Sequence, residues 1–151
     1  NHVFCRKDLY GIEVMRVQEV TGNPTVVGVP LTPSFILGMI NLRGQIATAL
    51  GMRTLFGHAD DLQSEKMSVV CKIEGNLVSL VVDSIGDVVE VSTKQFENPP
   101  DTLPKGVRKF LKGIYKMEGI LLSVIDLEKL SKELSVETGE GITNNETRRM
   151  A

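Results

Sequence analysis

The chain has 151 residues, with 17 Lys+Arg against 19 Asp+Glu for a formal charge of −2, a balance that lacks the basic field of a general nucleic-acid binder. Its length suits one domain with a sizeable core, no apolar run approaches the roughly 20 residues that span a bilayer, and the start carries no signal-peptide pattern. Its two cysteines, Cys5 and Cys71, are too few for a secreted disulfide scaffold, so both are expected as reduced, packed thiols in a cytoplasmic protein.

Taken in chain order, short β-like runs dominate: 3–6, 10–20, 26–30, 39–50, 67–74, 77–83, 87–92, 109–117 and 119–125, separated by Gly, Asn, Asp or Pro. Many short strands with regular turn signals predict an all-β barrel or sandwich. Phe35-Ile-Leu37 after Pro33 suits a single helical turn, with Ser34 as its cap. Ile40, Leu42 and Ile46 then alternate as an inward face, which leaves Arg43 pointing outward from an Asn41-Leu-Arg-Gly44 turn. The polar segments 58–66 and 98–104 read as surface loops. Glu74-Gly75-Asn76 and Glu118-Gly119 are hairpin signals, since Gly and Asn tolerate positive φ. Leu127, Leu130 and Leu134 recur on one face of a helix that Asp126 can cap. Ile46–Leu50 and Leu121–Ile125 both lead into helical segments, which hints at two halves of similar plan. Residues 1–137 are therefore expected to form the folded unit. The stretch 138–151, nearly without apolar residues, is expected to be a mobile tail.

The supply of catalytic chemistry is thin. His2 and His58 lack ligands at metal spacing, and neither cysteine belongs to a Cys-x-x-Cys pair. No Gly-Lys-Ser/Thr or Gly-x-Gly-x-x-Gly loop is present, so neither a metal nor a nucleotide cofactor is expected. Asp83 and Asp87 flank Ser-Ile-Gly86 and are expected to bond backbone amides at a bend rather than work as a hydrolytic pair. Among Ile12, Val14, Val17, Val20, Ile40, Leu42, Val81, Ile85 and Val88, most belong to the core by default, and any that are exposed would mark a partner surface. Arg43 has no catalytic partner. It is a recognition group or one end of an internal salt bridge with Glu13 or Glu19.

Three spaced motifs carry a family likeness: Tyr10-Gly-Ile-Glu-Val-Met-Arg-Val-Gln-Glu-Val20, Asn41-Leu-Arg-Gly44 and Leu80-Val-Val-Asp-Ser-Ile-Gly-Asp-Val-Val89. Over roughly residues 3–134 the chain resembles the CheW family of bacterial chemotaxis adaptors. The resemblance implies two five-stranded SH3-like β-barrels sharing a core, plus a C-terminal amphipathic helix, and no enzymatic activity. It further implies an adaptor that couples chemoreceptors (methyl-accepting chemotaxis proteins), bound at their cytoplasmic tip, to the CheW-like regulatory domain of the histidine kinase CheA. The receptor-binding positions carried over are Arg43, Val17, Glu19 and Gly38. Nucleic acid, membrane insertion and cofactors have no part in it. The chain departs from the family pattern at Thr48, in place of a proline, and at Gly51, in place of a helix-capping aspartate, which leaves room for a specialised, non-flagellar array. The rival readings are the same domain within a larger CheV- or CheA-type protein, and an all-β ligand-binding domain or small hydrolase.

Overall fold

The computed structural model describes residues 2–5, of which the backbone alone is considered, together with 10–59 and 65–134. The expected tail, 138–151, lies outside the described residues, as does the side chain of Cys5.

Eleven strands occur among the described residues: β1 (His2–Cys5), β2 (Tyr10–Glu13), β3 (Val17–Gly22), β4 (Ile36–Leu42), β5 (Gln45–Gly51), β6 (Met67–Ile73), β7 (Asn76–Val82), β8 (Ile85–Val89), β9 (Phe96–Glu97), β10 (Leu111–Met117) and β11 (Ile120–Ile125). Helices are short: α1 (Met52–Leu55), α2 (Lys105–Arg108) and α3 (Leu127–Leu134). The strands form two sheets, ordered β8-β1-β2-β11-β10-β9 and β3-β6-β7-β5-β4. The first therefore has six strands where the family likeness implies five. The addition is the two-residue β9, which pairs along β10.

β6 and β7 are apolar at nearly every position because both of their faces are covered. Val69, Cys71, Ile73, Val78, Leu80 and Val82 join a core shared with Ile12, Leu111 and Ile125 of the other sheet and with the leucines of α3. The opposite face carries Val81, packed with Ile40 and Ala49 in a smaller cluster inside the second sheet. Ser68 and Ser79 are also fully buried on that face, and their hydroxyls satisfy one another at 2.5 Å.

The two halves follow one local plan. In each, a phenylalanine precedes a hairpin whose second strand has a parallel neighbour (β5 on β7, β11 on β2) and then enters a helix. The residue ahead of each helix donates its N–H to that phenylalanine's carbonyl: Gly51 to Phe35 and Asp126 to Phe110, both at 2.8 Å. The two rings pack against each other, with centroids 6.2 Å apart. Each hairpin's first strand also has a register shift just ahead of a glycine, Gly38 in one and Gly113 in the other.

Several sequence expectations need correction. The run 10–20 is two strands, because the 3-10 turn Val14–Arg16 carries the chain from one sheet to the other. Arg16 ties this crossing to α3 through Glu128 at 2.5 Å. The run 26–30 supplies only a bridge, Val27 to Met39. Phe35-Ile-Leu37 is not a helical turn: Ile36 donates to the Pro33 carbonyl, closing a β-turn, and β4 begins there. The run 39–50 is a hairpin, β4–β5. At the bend expected there, the Asp83 carboxylate also takes ion pairs the sequence did not announce, accepting from Arg53 Nε at 2.7 Å and Lys66 Nζ at 2.6 Å. The C-terminal helix matches its expectation, with Leu127, Leu130 and Leu134 buried and Lys129 N–H bonded to the Asp126 carboxylate.

Candidate functional site

A two-residue turn sets the site. Arg43 and Gly44 both have positive φ, +54° and +89°, the pattern whose twist matches a tight hairpin. The Asn41 side chain accepts from Gly44 N–H at 2.9 Å and braces the loop. The register is Leu42 opposite Gln45, Asn41 opposite Ile46 and Ile40 opposite Ala47. Facing residues share one side of a sheet, so the parity of inward positions switches across the turn. Ile40 and Ala47 are buried, and Ile46, expected inward, is 56% exposed. Pairing positions outward from a two-residue turn, Leu42 with Gln45 and then Asn41 with Ile46, would have shown this.

Arg43 stands at the tip with its side chain 83% exposed. It donates through Nη2 to Glu19 Oε2 at 2.8 Å, choosing Glu19 over Glu13, which instead pairs with Lys112. Glu19 lies on β3 and Arg43 at the end of β4, the two edges of the second sheet, so the sheet curls until its edges meet through side chains. Among the described residues no backbone ladder joins β3 to β4. A register shift between Val17 and Glu19 re-aims the latter. Val17 itself is half-buried and packs against the shared core.

Gly38 plays a different part. It is buried at φ +147°, and a Cβ there would fall 2.0 Å from the Val27 carbonyl oxygen. Its bareness lets Val27 and Met39 exchange backbone hydrogen bonds at 2.8 Å. The structure thus joins Arg43 and Glu19 directly, and sets Val17 and Gly38 behind them as supports.

The outer side of the hairpin sets two apolar side chains beside their facing partners Thr48 and Asn41. Met39 and Ile46 are 44% and 56% exposed, with Val27 alongside Met39. Among the other nominated core residues, Val20 and Val88 are also exposed. A bare guanidinium beside apolar side chains can direct hydrogen bonds to carboxylates or amides while its neighbours exclude water.

Among the described residues no three His, Cys, Asp or Glu side chains converge on a metal-sized site, and His58 is exposed. Cys71 is a buried free thiol whose pKa burial pushes up to about 12, against a smaller lowering by Arg16, so it stays protonated and inert. No helix among the described residues is long and apolar enough to cross a membrane.

The family model of the CheW-like domain matches residues 2–135. A chemotaxis protein CheW of Klebsiella aerogenes is 31% identical over 130 residues, covering 84% of this chain and 78% of that one. The crystal structure of the scaffolding protein TtCheW from Thermoanaerobacter tengcongensis superposes with a TM-score of 0.73 at 29% identity, over 83% of this chain and 86% of that one. Chemotaxis protein CheV3 of Helicobacter pylori is 26% identical over 132 residues, which cover 85% of this chain and 42% of the longer protein.

Proposed function

The chain belongs to the CheW-like domain family, and from that premise we propose that it is a non-enzymatic adaptor coupling chemoreceptors to the histidine kinase CheA in chemotactic signal transduction. The observation that carries this reading is the β4–β5 tip: an arginine held, among the described residues, by an exposed ion pair alone, and flanked by uncovered Met39 and Ile46. Surface pairs of this kind contribute at most about 1 kcal/mol, so Arg43 exchanges Glu19 for a partner's acceptor at little cost. The partner is the cytoplasmic tip of a chemoreceptor, with Glu19 in the far wall of its seat and Val17 anchoring that wall to the core. Gly38 acts from behind by fixing the hairpin's shape. The kinase partner is the CheW-like regulatory domain of CheA, bound elsewhere on the surface. All of these partners place the work in the cytoplasm.

Calorimetric titration of a receptor cytoplasmic fragment into wild type and Arg43→Ala tests the seat. A loss of about 2 kcal/mol or more, typical of a hot-spot arginine, with little change toward the kinase domain, is expected. Equal receptor affinity would remove Arg43 from the site. A second reading, the same domain acting within a longer CheV-type protein, is supported by the match to part of CheV3. The length of the complete gene product decides between them.

A further inference from the structure

An imbalance of charge lies on the other sheet. A cleft of about 640 Å³ opens between the Asn98–Pro99 loop, α2, the start of β10 and the first turns of α3. Lys105, Arg108, Lys109, Lys112 and Lys129 line it, with buried Leu111 among them. The lining itself holds no carboxylate; three bond to these five cations from its rim, Asp101 to Arg108 at 2.5 Å, Glu13 to Lys112 at 2.8 Å and Glu133 to Lys109 at 3.1 Å, while Asp126 and Glu128 also act on Lys112 from farther off. Among the described residues Lys105 and Lys129 have no ion-pair partner. Since the whole chain is net negative, this is a local concentration of positive charge. Cations gathered round one concavity repel each other, and an anionic occupant relieves the repulsion.

The lining decides what kind of anion fits. Arg108, Lys109 and Lys112 have side chains 34%, 49% and 53% exposed, so none is a buried donor aimed at one point. No glycine-rich turn lies in the lining to cradle phosphate with backbone amides, and Lys109 covers the ring of Phe110 at 4.8 Å, which removes a stacking face for a base. What remains is a spread of flexible ammonium groups drawn from a short helix, a strand edge and α3. Such a spread matches carboxylates strung along an extended backbone. We propose that this cleft docks an acidic, extended segment of a partner polypeptide, at a place separate from the Arg43 hairpin.

Fluorescence anisotropy of a labelled ten-residue peptide rich in Asp and Glu, titrated with the full chain at low and moderate salt, tests the proposal. Binding that weakens with salt is expected, with at least a tenfold loss in Lys105→Glu/Lys129→Glu. The matched reversal Lys72→Glu/Lys94→Glu, outside the cleft, and Arg43→Ala should leave it unchanged. Circular dichroism melts establish that each variant is folded. Equal losses from the two reversals would reduce the effect to net charge and overturn the site. Displacement of the peptide by tripolyphosphate, duplex DNA or anionic vesicles at lower concentration than by unlabelled peptide would overturn the polypeptide assignment.

Discussion

Arg43 occupies a left-handed backbone conformation, at φ +54°, that an L side chain with a Cβ adopts at a cost of roughly 1–2 kcal/mol. Asparagine tolerates this region better, so Arg43→Asn should leave folding stability unchanged or raise it slightly while deleting the guanidinium. Urea denaturation checks this. A fall of more than about 1 kcal/mol, beyond the worth of a surface pair, would mean that the bond to Glu19 holds the fold together. Asp83 is the contrasting residue, because its ion pairs are half-buried and structural. Burial raises its carboxyl pKa, but the hydrogen bonds from Lys66 and Arg53 outweigh that, and the net result lies below the ordinary value. A carboxyl with a lowered folded pKa contributes stability that is full above its unfolded pKa of about 3.9 and is lost as pH falls through the folded value. Asp83→Asn should therefore be less stable than wild type at neutral pH, with the gap closing in acid. Urea midpoints across a pH series would show it, and a gap that stays constant with pH would contradict the ion-pair account.

At the scale of elements, the two hairpins pose one steric problem with two solutions. A side chain at Gly38 would meet the backbone of Val27, which cannot yield without breaking its bridge to Met39, and the φ there is strained for any L residue. At Gly113 the nearest atoms, 2.2 Å from a would-be Cβ, belong to the ring of Phe96, with the Glu97 carbonyl at 2.8 Å. That ring lies at the surface and has somewhere to go. Gly38→Ala should therefore lower the melting temperature clearly more than Gly113→Ala, and the reverse order would show that the Val27 segment is not fixed. The same elements show how far the sequence can be read. Both Gly-containing turns at Glu74-Gly75 and Glu118-Gly119, and the leucine face of α3, are local signals and were legible. An ion pair from Arg43 to Glu13 or Glu19 was one of the readings left open, and Glu19 is the partner found. The outward placement of Ile46 was hidden, because it depends on how a two-residue turn shifts strand parity, whereas that of Met39 follows from its neighbour Ile40 facing inward. The break of 10–20 at Val14–Arg16 was hidden too: the apolar pattern continues while the chain changes sheets, and only the tertiary arrangement separates β2 from β3.

At the scale of the whole molecule, the core is shared by the two sheets, and α3 is locked onto it by its leucines and by the Arg16–Glu128 pair. A core shared in this way ties the surfaces of the two sheets to one another, as the proposed adaptor role requires. Fold class followed from strand spacing and turn chemistry, whereas the six-to-five division of strands did not, since β9 is only two residues long and pairs where Phe96 lies over Gly113. The adaptor account makes its strongest demand on coupling. CheA autophosphorylation should therefore be measured with a receptor cytoplasmic fragment present, with and without this chain, and again with Arg43→Ala. The account predicts that kinase activity comes under receptor control only when the wild-type chain is added, and that Arg43→Ala restores little of that control while still binding the kinase. Receptor control that is the same without the chain, or the same with both forms of it, would contradict the account.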